Sequence, residues 1–200
     1  MPEYEGPWIQ TLDGRALYLL QPTERDIHMS TLAIVLSRIC RFGGHTRQFY
    51  SVAEHSLRVM QLVSHLTADP AIRLAAILYD AHEAYSGFGD VCKPARCLAP
   101  RVEEVQDGLD QVIAAKFGFD AALFKHDLVQ LADARLLATE ARDLMLPMAP
   151  PSWVDDLPAP LEQKIVPAQN IREVAWQFEV RARGLAYTLR HPTEPEESCS

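Results

Sequence analysis

The sequence predicts an all-α protein, a helical bundle with a small N-terminal β-hairpin. Three observations carry that reading. Apolar residues recur at helical spacing through most of the 200 residues. Several of those stretches open on a helix-starting residue: Ser51, Pro70, Pro100 and Asn170. Only one place, near the N-terminus, pairs two short apolar-rich runs across an Asp-Gly turn.

Taken in order, Trp8 to Leu20 is that hairpin, about residues 8–20, turning at Asp13-Gly14. Pro22-Thr23-Glu24-Arg25-Asp26 offers a cap and acidic first-turn residues for a helix ending near Cys40. Gly43-Gly44 breaks the pattern. Ser51 caps a second helix, about 51–66, with Glu54 in the capping-box position. Pro70 opens a third, about 70–85, whose Leu74, Ala75, Ile77 and Leu78 leave little polar surface and mark it as central. Gly87, Gly89 and Pro94 make 86–96 a loop. Helices follow at about 100–117 and 121–145. Residues 147–167 are proline-rich and irregular. Asn170 caps a last helix to about Leu189, and the polar tail 191–200 reads as disordered. The expected organisation is one domain over 1–190.

Bulk properties narrow the function. An apolar content of 48% suits an ordinary globular core. The net charge of -8 argues against a partner held by its phosphate backbone, so no nucleic acid is expected. Cys40, Cys92, Cys97 and Cys199 lack zinc-finger or CxxC spacing and read as reduced thiols. The N-terminus has no apolar signal core and no run is long enough for a membrane span, which points to a soluble, cytoplasmic protein.

The stretch Ala75-Ala76-Ile77-Leu78-Tyr79-Asp80-Ala81-His82-Glu83-Ala84-Tyr85 is the most informative. A buried apolar run ends in an acid, an imidazole and a second acid. Charged groups are seldom buried unless paired or bound to metal. Upstream, Tyr50-Ser51-Val52-Ala53-Glu54-His55 places one potential ligand in a helical pattern; downstream, Leu131-Ala132-Asp133-Ala134 places another. His55, Asp80 and Asp133 thus lie on three expected helices, which a bundle core could bring together.

These segments, in this order, resemble the HD-domain phosphohydrolases, closest to the group of bacterial 5′-deoxynucleotidases and phage-type deoxynucleoside triphosphate hydrolases. The resemblance runs from about Arg41 to Leu144. It implies an HD-type bundle and a divalent metal (zinc, manganese, cobalt or magnesium) held by His55, Asp80 and Asp133. Tyr79 stands where the family has the His of its His-Asp doublet. The resemblance further implies catalytic roles for Glu83 and Asp90. It implies substrate contacts from Arg41, Phe42, Lys93 and Arg96, a nucleotide substrate, and a homodimer or higher homo-oligomer.

Two readings stay open. The chain is a metal-dependent hydrolase of deoxynucleoside mono- or triphosphates. Alternatively, it is a metal-poor or inactivated relative that binds nucleotides without efficient hydrolysis, because a phenol is a poor ligand. His82, one turn from Tyr79, could compensate. Tyr85 and Trp153 could line a base pocket or simply pack. Glu140 and Arg142 read as structural pairs, and His45, Arg47 and Gln48 as ordinary loop residues.

Overall fold

The structure, a computed structural model, describes residues 6–147 and 152–192. It is mostly helical, with eight α-helices among the described residues and one two-stranded antiparallel sheet. The strands are β1 (Trp8–Gln10) and β2 (Ala16–Tyr18), paired with Trp8 opposite Tyr18. Five residues join them, and Gly14 takes the left-handed backbone (φ 79°) that closes the turn.

The helices are α1 (Met29–Leu36), α2 (Val52–Ser64), α3 (Pro70–Ile77), α4 (Glu83–Ser86), α5 (Lys93–Arg96), α6 (Pro100–Phe117), α7 (Asp127–Leu144) and α8 (Ile171–Arg190). The core forms where α2, α3 and α8 meet, with α1 against α8 and α7 against α2. Leu74, Ala75, Ala76 and Ile77 of α3 are all fully buried, as expected for the central helix. Burying one leucine of this kind stabilises by roughly 1.5–3 kcal/mol. The long helix α8 buries Val174, Phe178, Ala182 and Ala186, a four-residue repeat along one face. Its start is set by Asn170, whose Oδ1 accepts from the amides of Arg172 (3.0 Å) and Glu173 (3.3 Å).

Several boundaries differ from expectation, each for a local reason. The first helix begins at Met29, because Asp26 turns back to accept from both the amide and hydroxyl of Thr23 at 2.8 Å. Ser51 caps α2 as expected, accepting from the Glu54 amide at 3.2 Å. The Glu54 carboxylate instead takes Arg58 (2.9 Å) and the Ala168 amide (3.1 Å), tying α2 to the segment before α8. The helix expected over 70–85 stops at Ile77. Residues 78–86 continue in tighter turns: Ala81 bonds to Leu78, Glu83 to Asp80 and Tyr85 to His82, each donating to the carbonyl three residues back. The stretch 121–145 divides into a 3-10 segment (Ala121–Lys125) and α7. Asp120 caps the first and His126 the second, through Nδ1 accepting from Leu128 at 3.2 Å. The loop 86–96 contains the short α5. Residues 152–167 form no helix or strand, and the expected disordered tail falls, from residue 193 on, outside the described residues. Cys40, Cys92 and Cys97 are free thiols. No helix among the described residues is long and apolar enough to cross a membrane.

Candidate functional site

The site starts with a staple. Cys40 and Ser51 form an isolated antiparallel bridge, flanked by bonds from the Arg41 amide to Tyr50 O (2.9 Å) and from the Val52 amide to Ile39 O (3.0 Å). This fixes Arg41 beside the first turn of α2. Val52 through Ser56 in that turn are all buried, so His55 points into the interior.

His55 is fully buried. Its Nδ1 lies 2.7 Å from Glu140 Oε1. Its Nε2 lies 3.1 Å from Asp133 Oδ1 and 3.5 Å from Asp80 Oδ2, yet neither contact has hydrogen-bond geometry, so Nε2 is left without a directional partner. Arg41 reaches into the same space. Its Nη1 lies 3.4 Å from Asp80 and 3.7 Å from Asp90, and its Nη2 lies 3.4 Å from Glu140. The buried Arg41 Nε also lacks a partner.

Five carboxylates, Asp80, Glu83, Asp90, Asp133 and Glu140, therefore share this space with one guanidinium and one imidazole. Burial and the Arg41 charge pull the His55 pKa down. Glu140 and Asp133 outweigh them and hold it at about 10. Glu140 is pushed up by burial but held at about 2 by His55 and Arg41. Glu83 is raised well above the carboxylate range by burial, then by Asp80 and Asp90, and its buried Oε2 has no partner. Asp80 is raised too, chiefly by burial. Glu83 and Asp80 shift in the direction expected of a site with more negative charge than it can neutralise.

His55, Asp80 and Asp133 are thus brought together, and the set fits a divalent cation in donor type. The orphaned Nε2 faces two carboxylates, while Glu140 holds the other ring nitrogen, the usual support of a ligating histidine. As they stand, no three His, Cys, Asp or Glu side chains among the described residues already form a metal cage. Tyr79 does not complete one. Burial, then Asp133 and Asp80, push its phenol to about 12, so it stays protonated. The Nδ1 of His82 is held by Asp110 of α6 at 2.9 Å, as Glu140 holds that of His55.

The remaining predicted residues divide. Glu83 begins α4 on the tight turn after Asp80, where residues three apart are nearly eclipsed. Asp90 accepts from the Phe42 amide at 2.6 Å. Phe42 needs that anchor, because it is the one described non-glycine residue with positive φ (56°). The Arg41 guanidinium lies 5.3 Å from the Phe42 ring centre, and Trp153 approaches that ring at 6.4 Å. Arg96 is half-buried and its charge reaches Tyr79 and His82, whereas Lys93 is exposed. Tyr85 lies away from the cluster, its hydroxyl accepting from the His28 amide at 3.0 Å.

Glu140 is central to the cluster. The sequence alone reads it as a structural pair; its seven-residue spacing from Asp133, two helical turns on one face, is the signal that could have found it. Asp110, the partner of His82, gives no such signal, since it lies in an ordinary polar helix face.

The chain is similar to the uncharacterized protein YfdR of Escherichia coli (strain K12). The two are 37% identical over 139 residues, covering 70% of this chain and 73% of that protein. It is also 38% identical over 123 residues to the uncharacterized protein RCAP_rcc00048 of Rhodobacter capsulatus, covering 58% of this chain and 61% of that one. The chain belongs to the family of the E. coli protein. No family model matches it.

Proposed function

We propose that this chain is an HD-type phosphohydrolase of deoxynucleotides, working in the cytoplasm, where free thiols are at home. The observation that carries the reading is the buried His55 Nε2, left without a directional partner between Asp80 and Asp133 while Glu140 fixes Nδ1. A divalent cation held by His55, Asp80 and Asp133 would polarise a phosphoryl oxygen and acidify water. The chain's own groups supply the rest. Arg41, whose Nε is free to donate, offsets charge on the phosphoryl oxygens. Glu83, whose pKa is raised by burial and then by Asp80 and Asp90, would pass a proton to the leaving oxygen as the phosphorus–oxygen bond breaks and recover one from the attacking water. Asp90 keeps Phe42 turned beside Arg41, and the Phe42 and Trp153 rings offer a face to the nucleoside.

The second reading, a nucleotide binder with weak hydrolysis, is favoured by Tyr79, whose phenol keeps its proton near neutral pH. One experiment separates the two. Phosphate release from deoxynucleoside mono- and triphosphates is measured with each divalent cation, alongside metal titration, for the wild type and Tyr79→His. Hydrolysis by the wild type supports the first reading. Hydrolysis only after Tyr79→His, with metal affinity raised by about the 10–100-fold that supporting residues contribute, supports the second. If neither protein binds metal or releases phosphate, both readings fail.

A further inference from the structure

Away from the His55 cluster, a surface hollow of about 440 Å³ is lined by Arg47, Arg142, Asp143, Lys164 and Ile165. Its charges do not cancel. Arg142 and Asp143 neutralise each other through two 2.8 Å contacts, Nε to Oδ1 and Nη2 to Oδ2. Asp143 Oδ2 also accepts from the Ile165 amide at 2.8 Å, so its acceptor capacity is largely used. The Arg142 Nη groups donate to the carbonyls of Leu161 and Gln163, which makes this residue a strut between α7 and the 161–165 segment.

Arg47 and Lys164 remain. Arg47 is held by neutral groups alone: its Nη2 donates to the Asp143 carbonyl, and its backbone amide bonds to Leu144 O at 2.8 Å. A carbonyl aims the guanidinium without discharging it. Lys164 is exposed, and neither cation has an ion-pair partner among the described residues. The lining thus carries three cations and one carboxylate, a net of +2, on a chain whose net charge is -8. Arg47 and Lys164 are both exposed, and the one carboxylate of the lining, Asp143, is already forked to Arg142 while Lys164 also acts on it by charge. A guanidinium and an ammonium together suit an anion with several charged oxygens.

We propose that this cavity binds a polyphosphate group, either free or as the phosphate tail of a nucleotide, at a site separate from the His55 cluster. Arg47 lies in the same 41–50 connection as Arg41, and Asp143 lies one turn beyond Glu140 on α7. The binding itself does not depend on the hydrolytic reading.

The test is calorimetric titration of the full chain with inorganic tripolyphosphate, in the presence of a chelator, for the wild type, Lys164→Glu, Arg47→Glu and Arg41→Ala. Saturable binding by the wild type is expected, weakened about tenfold or more by each of the first two changes and little altered by the third. Lys164 makes no described contact that folding needs, so Lys164→Glu reads the cavity without disturbing the bundle; matching melting temperatures check this. Repeating the titration with a deoxynucleoside triphosphate and with the bare deoxynucleoside distinguishes the sources. Tighter binding of the triphosphate than of tripolyphosphate, with none by the nucleoside, assigns a nucleotide; equal binding assigns free polyphosphate. Loss of binding in Arg41→Ala but not in Lys164→Glu would move the anion to the His55 cluster and overturn the proposal, as would a wild type that binds no tripolyphosphate. A chain that hydrolyses nothing but binds through Lys164 refutes the hydrolase function and leaves the anion site standing.

Discussion

Arg41 and Arg142 are built from the same chemistry, an arginine among carboxylates, and have opposite character. Arg142 meets Asp143 in two 2.8 Å contacts, fork to fork, with the arginine side chain 36% exposed. Its other donors end on carbonyls. Arg41 is 10% exposed and reaches three carboxylates, none nearer than 3.4 Å. Its neighbourhood leaves Arg41 Nε, His55 Nε2 and Glu83 Oε2 without directional partners. The surface pair is complete and belongs to the scaffold. The buried cluster is incomplete where incompleteness costs most, since an unpaired buried polar group loses about 1–3 kcal/mol of hydration. A fold carries such a cost where something else is to be bound.

Removing a member from each cluster sharpens the contrast. Glu140→Ala should have the largest effect. It strips the partner from His55 Nδ1 and from Arg41 Nη2 together, and breaking a buried pair costs about 3–5 kcal/mol. Urea unfolding of the two proteins measures this. A loss below about 1 kcal/mol, the usual range for surface pairs, would mean that the cluster is no tighter than the Arg142 pair.

Arg41→Ala should cut kcat/KM for phosphate release by roughly a hundredfold or more, the scale for losing one charge-stabilising donor. Lys93→Ala, at an exposed position, should change it little. The reverse order would show that the α5 loop, not the Arg41 turn, holds the phosphate. A step smaller is Asp90→Ala. The Phe42 amide would lose its charged acceptor, worth about 1.5–3 kcal/mol, and the strained backbone at φ 56° would relax. The expected signs are lower stability and a higher KM at nearly unchanged metal affinity. Unchanged stability would show that the turn holds itself.

The two clusters also differ in how far the sequence exposed them. His55, Asp80 and Asp133 are legible because each breaks an apolar helical pattern, and the bundle brings them together. Helix α6 and the start of α8 follow directly from Pro100 and Asn170. The end of α3 is not legible. Nothing in Leu78-Tyr79-Asp80 disfavours a helix, and the tighter turn arises from how the chain bends to present Asp80 and Glu83. The Phe42 backbone is equally hidden, since its left-handed turn depends on Asp90, 48 residues away. Glu140 reads as a structural pair from sequence because a lone helical glutamate looks solvated, and only the fold shows that α7 faces α2. The Arg47 cavity leaves no motif, being assembled from residues in three separate segments.

The smallest effect tests the surface pair by pH. Asp143 is held below the usual carboxylate range, first by the Arg142 hydrogen bond, with burial opposing. A carboxyl whose folded pKa is depressed stabilises the fold above its unfolded value, near 4, and that contribution fades as pH falls through the folded value. Asp143→Asn cannot titrate. The melting-temperature gap between wild type and variant should therefore be full at pH 6–7, worth less than about 1 kcal/mol, and should narrow steadily below pH 4. The buried cluster should show no such simple acid limb. Glu140, at about 2, works in the same direction, but Glu83 and Asp80 are shifted upward and are relieved by the same protons. A gap at Asp143 that stays constant from pH 7 to 3 would mean that the Arg142 fork contributes packing rather than charge.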